Sequence, residues 1–106
     1  MSRPRYGWCG YVRSMVRKYP ERRGQTLTGT ALREYEAVLA AIKQTERMRN
    51  GHDRLRVIEL VYWKRTCGLK DAGLHIRYSG DTVQNWHADF IKAVARNFRC
   101  DSLLED

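Results

Sequence analysis

Apolar positions recur at helical spacing along nearly the whole chain. Trp8, Tyr11, Val12, Met15, Val16 and Tyr19 follow the i, i+3, i+4, i+7, i+8, i+11 steps of one helical face. Arg13, Arg17 and Lys18 fall on other faces. Pro20 predicts the end of this first helix, because a proline disfavours helical backbone in the residue before it. The apolar face either packs on the rest of the domain or forms a seam with a second copy, as in a homodimer. Residues 20–30, PERRGQTLTGT, read as a polar loop. Thr28 or Thr30 is suited to accept from the free N–H groups of a second helix. That helix is predicted to run to Met48, with Leu32, Tyr35, Val38, Leu39 and Ile42 as its buried stripe. Asn50-Gly51 predicts a turn.

Asp53 is a candidate N-cap for a third helix reaching Arg65. Its apolar residues Leu55, Val57, Ile58, Leu60, Val61, Tyr62 and Trp63 lie nearly all round, which predicts a central helix enclosed by the others. Cys67-Gly68 breaks the chain. A short helix over 69–76 and a longer one from Gly80 to Phe98 follow, and the acidic tail 101–106 is expected to fray. No alternation of strand length and no internal repeat occurs. The chain is therefore predicted to be all-α, one helical domain over 1–106 with five helices.

The run from Leu69 to Trp86, LKDAGLHIRYSGDTVQNW, carries the chemistry. Ala72, Ile76, Tyr78, Val83 and Trp86 stand where a helix–turn–helix needs small or apolar residues, with Gly73 where its two helices approach closest. Arg77 occupies a turn position where such units often carry glycine. At about 100° per residue, Val83, Trp86, Phe90 and Val94 form one inward stripe of the last helix. Asp81, Gln84, Asn85, Ala88 and Lys92 then lie outside. A recognition helix reads bases with its N-terminal residues, and Gln and Asn pair with adenine's N6 and N7 in the major groove. Gln84 and Asn85 are thus the candidate base readers. Ser79 is placed to cap the helix or touch a phosphate, and Lys92 and Arg96 to position it on the DNA backbone. Asp81 brings a negative charge near the groove but favours the helix N-terminus. His87 projects at the edge of the apolar stripe.

Charge sharpens this picture. The net +8 is uneven: residues 1–28 hold seven cations (Arg3, Arg5, Arg13, Arg17, Lys18, Arg22, Arg23) against Glu21 alone. Such a segment favours a polyanion, which makes Arg13, Arg17 and Lys18 candidate phosphate contacts. No apolar run spans a membrane, and the start of the chain lacks the unbroken apolar stretch of a signal peptide, so a cytoplasmic protein is predicted. Cys9, Cys67 and Cys100 form no C-x-x-C pair and keep no metal-ligand spacing with His52, His75 or His87. Three reduced thiols are expected, with no metal and no cofactor. No nucleophile–base pair, paired carboxylates or phosphate-cradling glycine loop points to an enzyme.

Residues 53–98 resemble the fourth region of bacterial sigma factors through Leu69, Ala72, Gly73, Tyr78, Ser79, Val83 and Trp86, departing from it at Arg77. Most of the chain, including Tyr6-Gly7-Trp8 and the Leu60–Arg65 run, is similar to small phage and prophage proteins of Firmicutes grouped with the ArpU and RinA type transcriptional regulators. The resemblance implies a phage-encoded regulator acting in the bacterial host cell on promoter double-stranded DNA, with host RNA polymerase or another host protein as a further partner. Two alternatives use the same fold: a packaging protein of small-terminase type, and a phage-encoded protein inhibitor of a host defence nuclease (anti-CRISPR type).

Overall fold

The computed structural model describes residues 9–65 and 68–98, which form five helices with no strand among the described residues. Trp8, Cys67, Cys100 and the acidic tail 101–106, on which several of the expectations above fall, lie outside the described residues. Helix α1 spans Cys9–Arg22, so the expected stop at Pro20 is overturned. A proline inside a helix removes one N–H and orphans the carbonyl four residues earlier. Here that carbonyl belongs to Val16, and it accepts a 2.8 Å hydrogen bond from the Trp63 indole N–H. A distant tryptophan thus replaces the missing helical donor. The face of Val12, Met15, Val16 and Tyr19 is buried, whereas Tyr11 is 41% exposed and sends its hydroxyl to Glu34.

Helix α2, Gly29–Glu46, starts after Thr28, which stands at the cap position with extended backbone but makes no side-chain capping hydrogen bond. Of the predicted stripe, Val38 is fully buried and Tyr35, Leu39 and Ile42 pack partly buried against the core, but the most deeply buried face is shifted from it. Glu34, Ala37, Val38, Ala41 and Thr45 are buried, and Leu32 is 36% exposed. The helix is rotated so that small residues meet the neighbouring helices. Glu34 is admitted because Arg22 holds it at 2.7 Å and Tyr11 donates to its other oxygen.

Helix α3 begins at Gly51, two residues before the predicted cap. Asn50 stands in front of it at φ +60°, and a Cβ on Gly51 would come within 2.4 Å of the Thr45 carbonyl oxygen. Only glycine fits that approach. Asp53 instead lies in the first turn and accepts from the Tyr78 hydroxyl at 2.8 Å. The helix covers Gly51–Ile58 and continues as a π-helical turn over Glu59–Trp63, closed by Lys64 N–H to Glu59 C=O at 2.7 Å. That wider turn shifts the phase of the residues after it. Tyr62 is buried toward α5, and Trp63 reaches Val16 on α1.

Helices α4, Leu69–Ile76, and α5, Gly80–Asn97, follow the predicted boundaries to within one residue. Arg77 ends α4 in the left-handed region at φ +64°. A non-glycine residue there carries strain of about 1 kcal/mol. Two backbone N–H groups, of Arg77 and Tyr78, converge on the Gly73 carbonyl and offset part of it. Helix α5 packs on α2, α3, α4 and α1 and unites the two parts of the core. The larger part joins α1, α2, Ile58, Tyr62 and the C-terminal half of α5. The smaller, Val57, Leu60, Ala72, Val83 and Trp86, seats α4 and the start of α5 on α3.

Candidate nucleic-acid interface

The α4–α5 junction is built around the absence of a side chain. A Cβ on Gly73 would lie 2.9 Å from the Tyr78 carbonyl oxygen and 3.3 Å from Val83 Cγ2. Val83 is fully buried, and Tyr78 lies edge-on to Trp86 with ring centroids 4.6 Å apart. The Ser79 hydroxyl accepts from Thr82 N–H at 3.2 Å and donates to Thr82 Oγ1 at 2.9 Å. Of the two roles expected for Ser79, the structure assigns it the cap. With α4 clamped in this way, the remaining arc of α5 is forced outward.

Asp81, Gln84, Asn85, Ala88, Asp89, Lys92 and Arg96 are all exposed. Steps of about 100° put Asn85 at the middle of this arc, with Lys92 and Arg96 on the same line two and three turns along. Gln84 lies toward the α1 side. Asp81 sits in the first turn, where the helix dipole favours a carboxylate. Asp89, which no sequence signal marks, follows Asn85 by one turn and pairs with Arg54 of α3 at 3.3 Å. Arg54 also lies over the Trp86 ring, 5.4 Å from its centroid, and donates to the Arg49 carbonyl at 3.0 Å. No spacing along the chain links Arg54 to Asp89; the pair exists because α3 crosses α5.

The structure divides the cations of the basic helix. Arg13, Arg17 and Lys18 are all exposed. Arg17 lies 5.9 Å from the centroid of the Tyr62 ring, and the Arg13 charge reaches His87. Both arginines therefore flank the N-terminal half of α5. Lys18 points the other way: its charge acts on Glu34 of α2. Five residues of helix turn Lys18 about 140° from Arg13. The three cations do not form one patch.

Beneath Arg13 and Arg17 lies a buried polar pair that the sequence marks only as a boundary histidine. His87 is 8% exposed, shares a 2.6 Å hydrogen bond with the Tyr62 hydroxyl, and stacks on that ring at 5.6 Å. Burial, reinforced by the Arg13 charge, pushes its pKa down to about 4. His87 is thus neutral at physiological pH and holds the π-helical turn against α5. Glu34 is displaced by opposing causes. Burial alone would raise its carboxyl, but the hydrogen bonds from Tyr11 and Arg22 and the charges of Arg22 and Lys18 outweigh that and lower it.

Between α2 and α5 a cleft of about 400 Å³ opens beside the outward arc. Met48, Trp86 and Phe90 line it together with Arg54, Lys92 and Arg96. Among the described residues no group of His, Cys, Asp and Glu is arranged to hold a metal ion, and no helix is long and apolar enough to cross a membrane. Compared with protein-family models, curated proteins and solved structures, the chain matches none.

Proposed function

We propose that this chain is a sequence-specific double-stranded DNA-binding protein that presents α5 to the major groove, and that it serves as a phage transcription regulator of the sigma region 4-like type. One observation carries the reading. Gly73 lets α4 close onto the start of α5, which leaves Gln84 and Asn85 exposed at the N-terminal half of a helix whose opposite face is buried. Lys92 and Arg96 continue the same face and suit the phosphate backbone, and Arg13 and Arg17 flank it from α1. Asp81 and Asp89 oppose tight phosphate contact. Asp89 is offset by Arg54, and Asp81 by the helix N-terminus.

The test is unbiased selection from random duplex DNA. A reader of this kind enriches a defined sequence containing adenine at the positions met by Gln84 or Asn85. Recovery of no preferred sequence overturns specific readout. It would move the protein-inhibitor alternative to first place, where the exposed basic residues meet a partner protein. A small-terminase role would instead show itself as a ring-sized molar mass.

A further inference from the structure

We propose that the acidic segment 101–106 of this same chain docks into the α2–α5 cleft and covers the cations that would otherwise meet DNA phosphates. The cleft has a mixed character that bare phosphate does not satisfy. Met48 (44% exposed), Trp86 and Phe90 give it an apolar lining, and Arg54, Lys92 and Arg96 line it with positive charge. Arg54 is engaged by Asp89, whereas Lys92 and Arg96 make no ion pair with any described residue. The occupant that fits is an acidic stretch carrying apolar side chains. Residues 101–106, Asp-Ser-Leu-Leu-Glu-Asp, are such a stretch: two leucines bracketed by three carboxylates.

Reach and attachment agree with that match. Arg96, in the last turn of α5, is one of the residues lining the cleft, and Phe98 just beyond it is held through its carbonyl by Arg33 of α2. Asn97 donates to Gln44 Oε1 at 3.0 Å, and Gln44 is one of the lining residues. Leu103 lies five residue steps beyond Phe98, a span that extends to about 17 Å. The lining residue Ala93 lies only about 7.5 Å back along the helix. Tethering to α5 also keeps the segment at high local concentration, so even a weak contact is populated. Because Lys92 and Arg96 belong to the proposed DNA face, docking would lower DNA affinity. That consequence rests on the function proposed above; the docking itself does not.

The experiment compares three proteins by NMR: the full chain, a chain ending at Cys100, and the full chain with Leu103→Ser and Leu104→Ser. Docking predicts that the Met48 and Ala93 amides and the Trp86 indole differ between the full and shortened chains. A synthetic peptide of residues 101–106 added to the shortened chain should move them back, and the double serine variant should resemble the shortened chain. If the segment is docked in about nine molecules of ten, the shortened chain binds duplex DNA about tenfold tighter at low salt. The difference should shrink as salt rises. Identical cleft resonances in the full and shortened chains overturn the proposal. So do cleft resonances that respond to duplex DNA or to protein concentration but not to the segment, since the occupant is then phosphate or a second copy. Resonances that shift as predicted while neither protein binds DNA support the docking and reject the DNA-binding reading.

Discussion

His87 is a titratable group held where water scarcely reaches it, and that position makes stability depend on pH. Its pKa falls from the ordinary 6.5 to about 4 because burial, and then the Arg13 charge, penalise the imidazolium. The unfolded chain binds the proton first as pH drops. The stabilisation is therefore complete above pH 6.5 and diminishes progressively down to about pH 4, amounting to about 3 kcal/mol. Glu34 has a lowered pKa, so its contribution persists to lower pH and disappears only as its carboxyl protonates. Urea unfolding at about pH 7 and pH 5 should show a clear loss of stability for the wild type and a smaller one for His87→Gln, which keeps a polar group but does not titrate. Equal losses in both proteins would remove His87 as the cause. The sequence marks His87 as a boundary residue from its place on the helical wheel. It does not reveal the Tyr62 hydroxyl, because that partner depends on the π-helical turn that rephases the end of α3. Nor does any spacing predict the Tyr11–Glu34–Arg22 group, whose members come from two helices across a loop.

The α4–turn–α5 element supports a sharper contrast, because its two nearby glycines do different things. At Gly73 an added methyl meets the Tyr78 carbonyl oxygen at 2.9 Å, and backbone cannot yield as a side-chain tip can. Gly73→Ala should therefore cost about 1–3 kcal/mol, the usual penalty for overpacking. At Gly80 a methyl would find nothing within 4 Å, so Gly80→Ala should leave stability unchanged or raise it by about 0.5–1 kcal/mol. Thermal melts of the two variants check this. Similar melting temperatures would mean that α4 and α5 do not approach as described. The bounds of this element are legible in the sequence because its signals are local: Gly73, the Ser79 cap and the inward stripe of α5. Elsewhere tertiary contacts override local signals. Pro20 does not end α1, since Trp63 supplies a donor to the Val16 carbonyl from 47 residues away. Leu32 stays partly exposed while Glu34 is buried, because an ion pair and a tyrosine hydroxyl satisfy the carboxylate on the face where α2 meets α1.

For the whole molecule, the question is which charges act together. The charge count along the chain assigns Arg13, Arg17 and Lys18 to one basic helix, whereas the fold sends Arg13 and Arg17 to the α5 flank and Lys18 to the side of Glu34. On the proposed function, Arg13→Gln with Arg17→Gln should weaken binding to all DNA sequences alike. It should also flatten the dependence of log K on log salt by about one unit for each phosphate no longer neutralised. Lys18→Gln should leave the slope as it is. An unchanged slope in the double variant would assign these arginines to a partner protein or to solubility. The claim that the outer face of α5 reads bases is tested most directly by binding of Gln84→Ala and Asn85→Ala to the selected site and to unrelated DNA. Each variant should bind the selected site more weakly by about 1–3 kcal/mol. Each should keep its affinity for unrelated DNA and its melting temperature, because neither side chain belongs to the core. Variants that retain the wild-type preference would contradict the account.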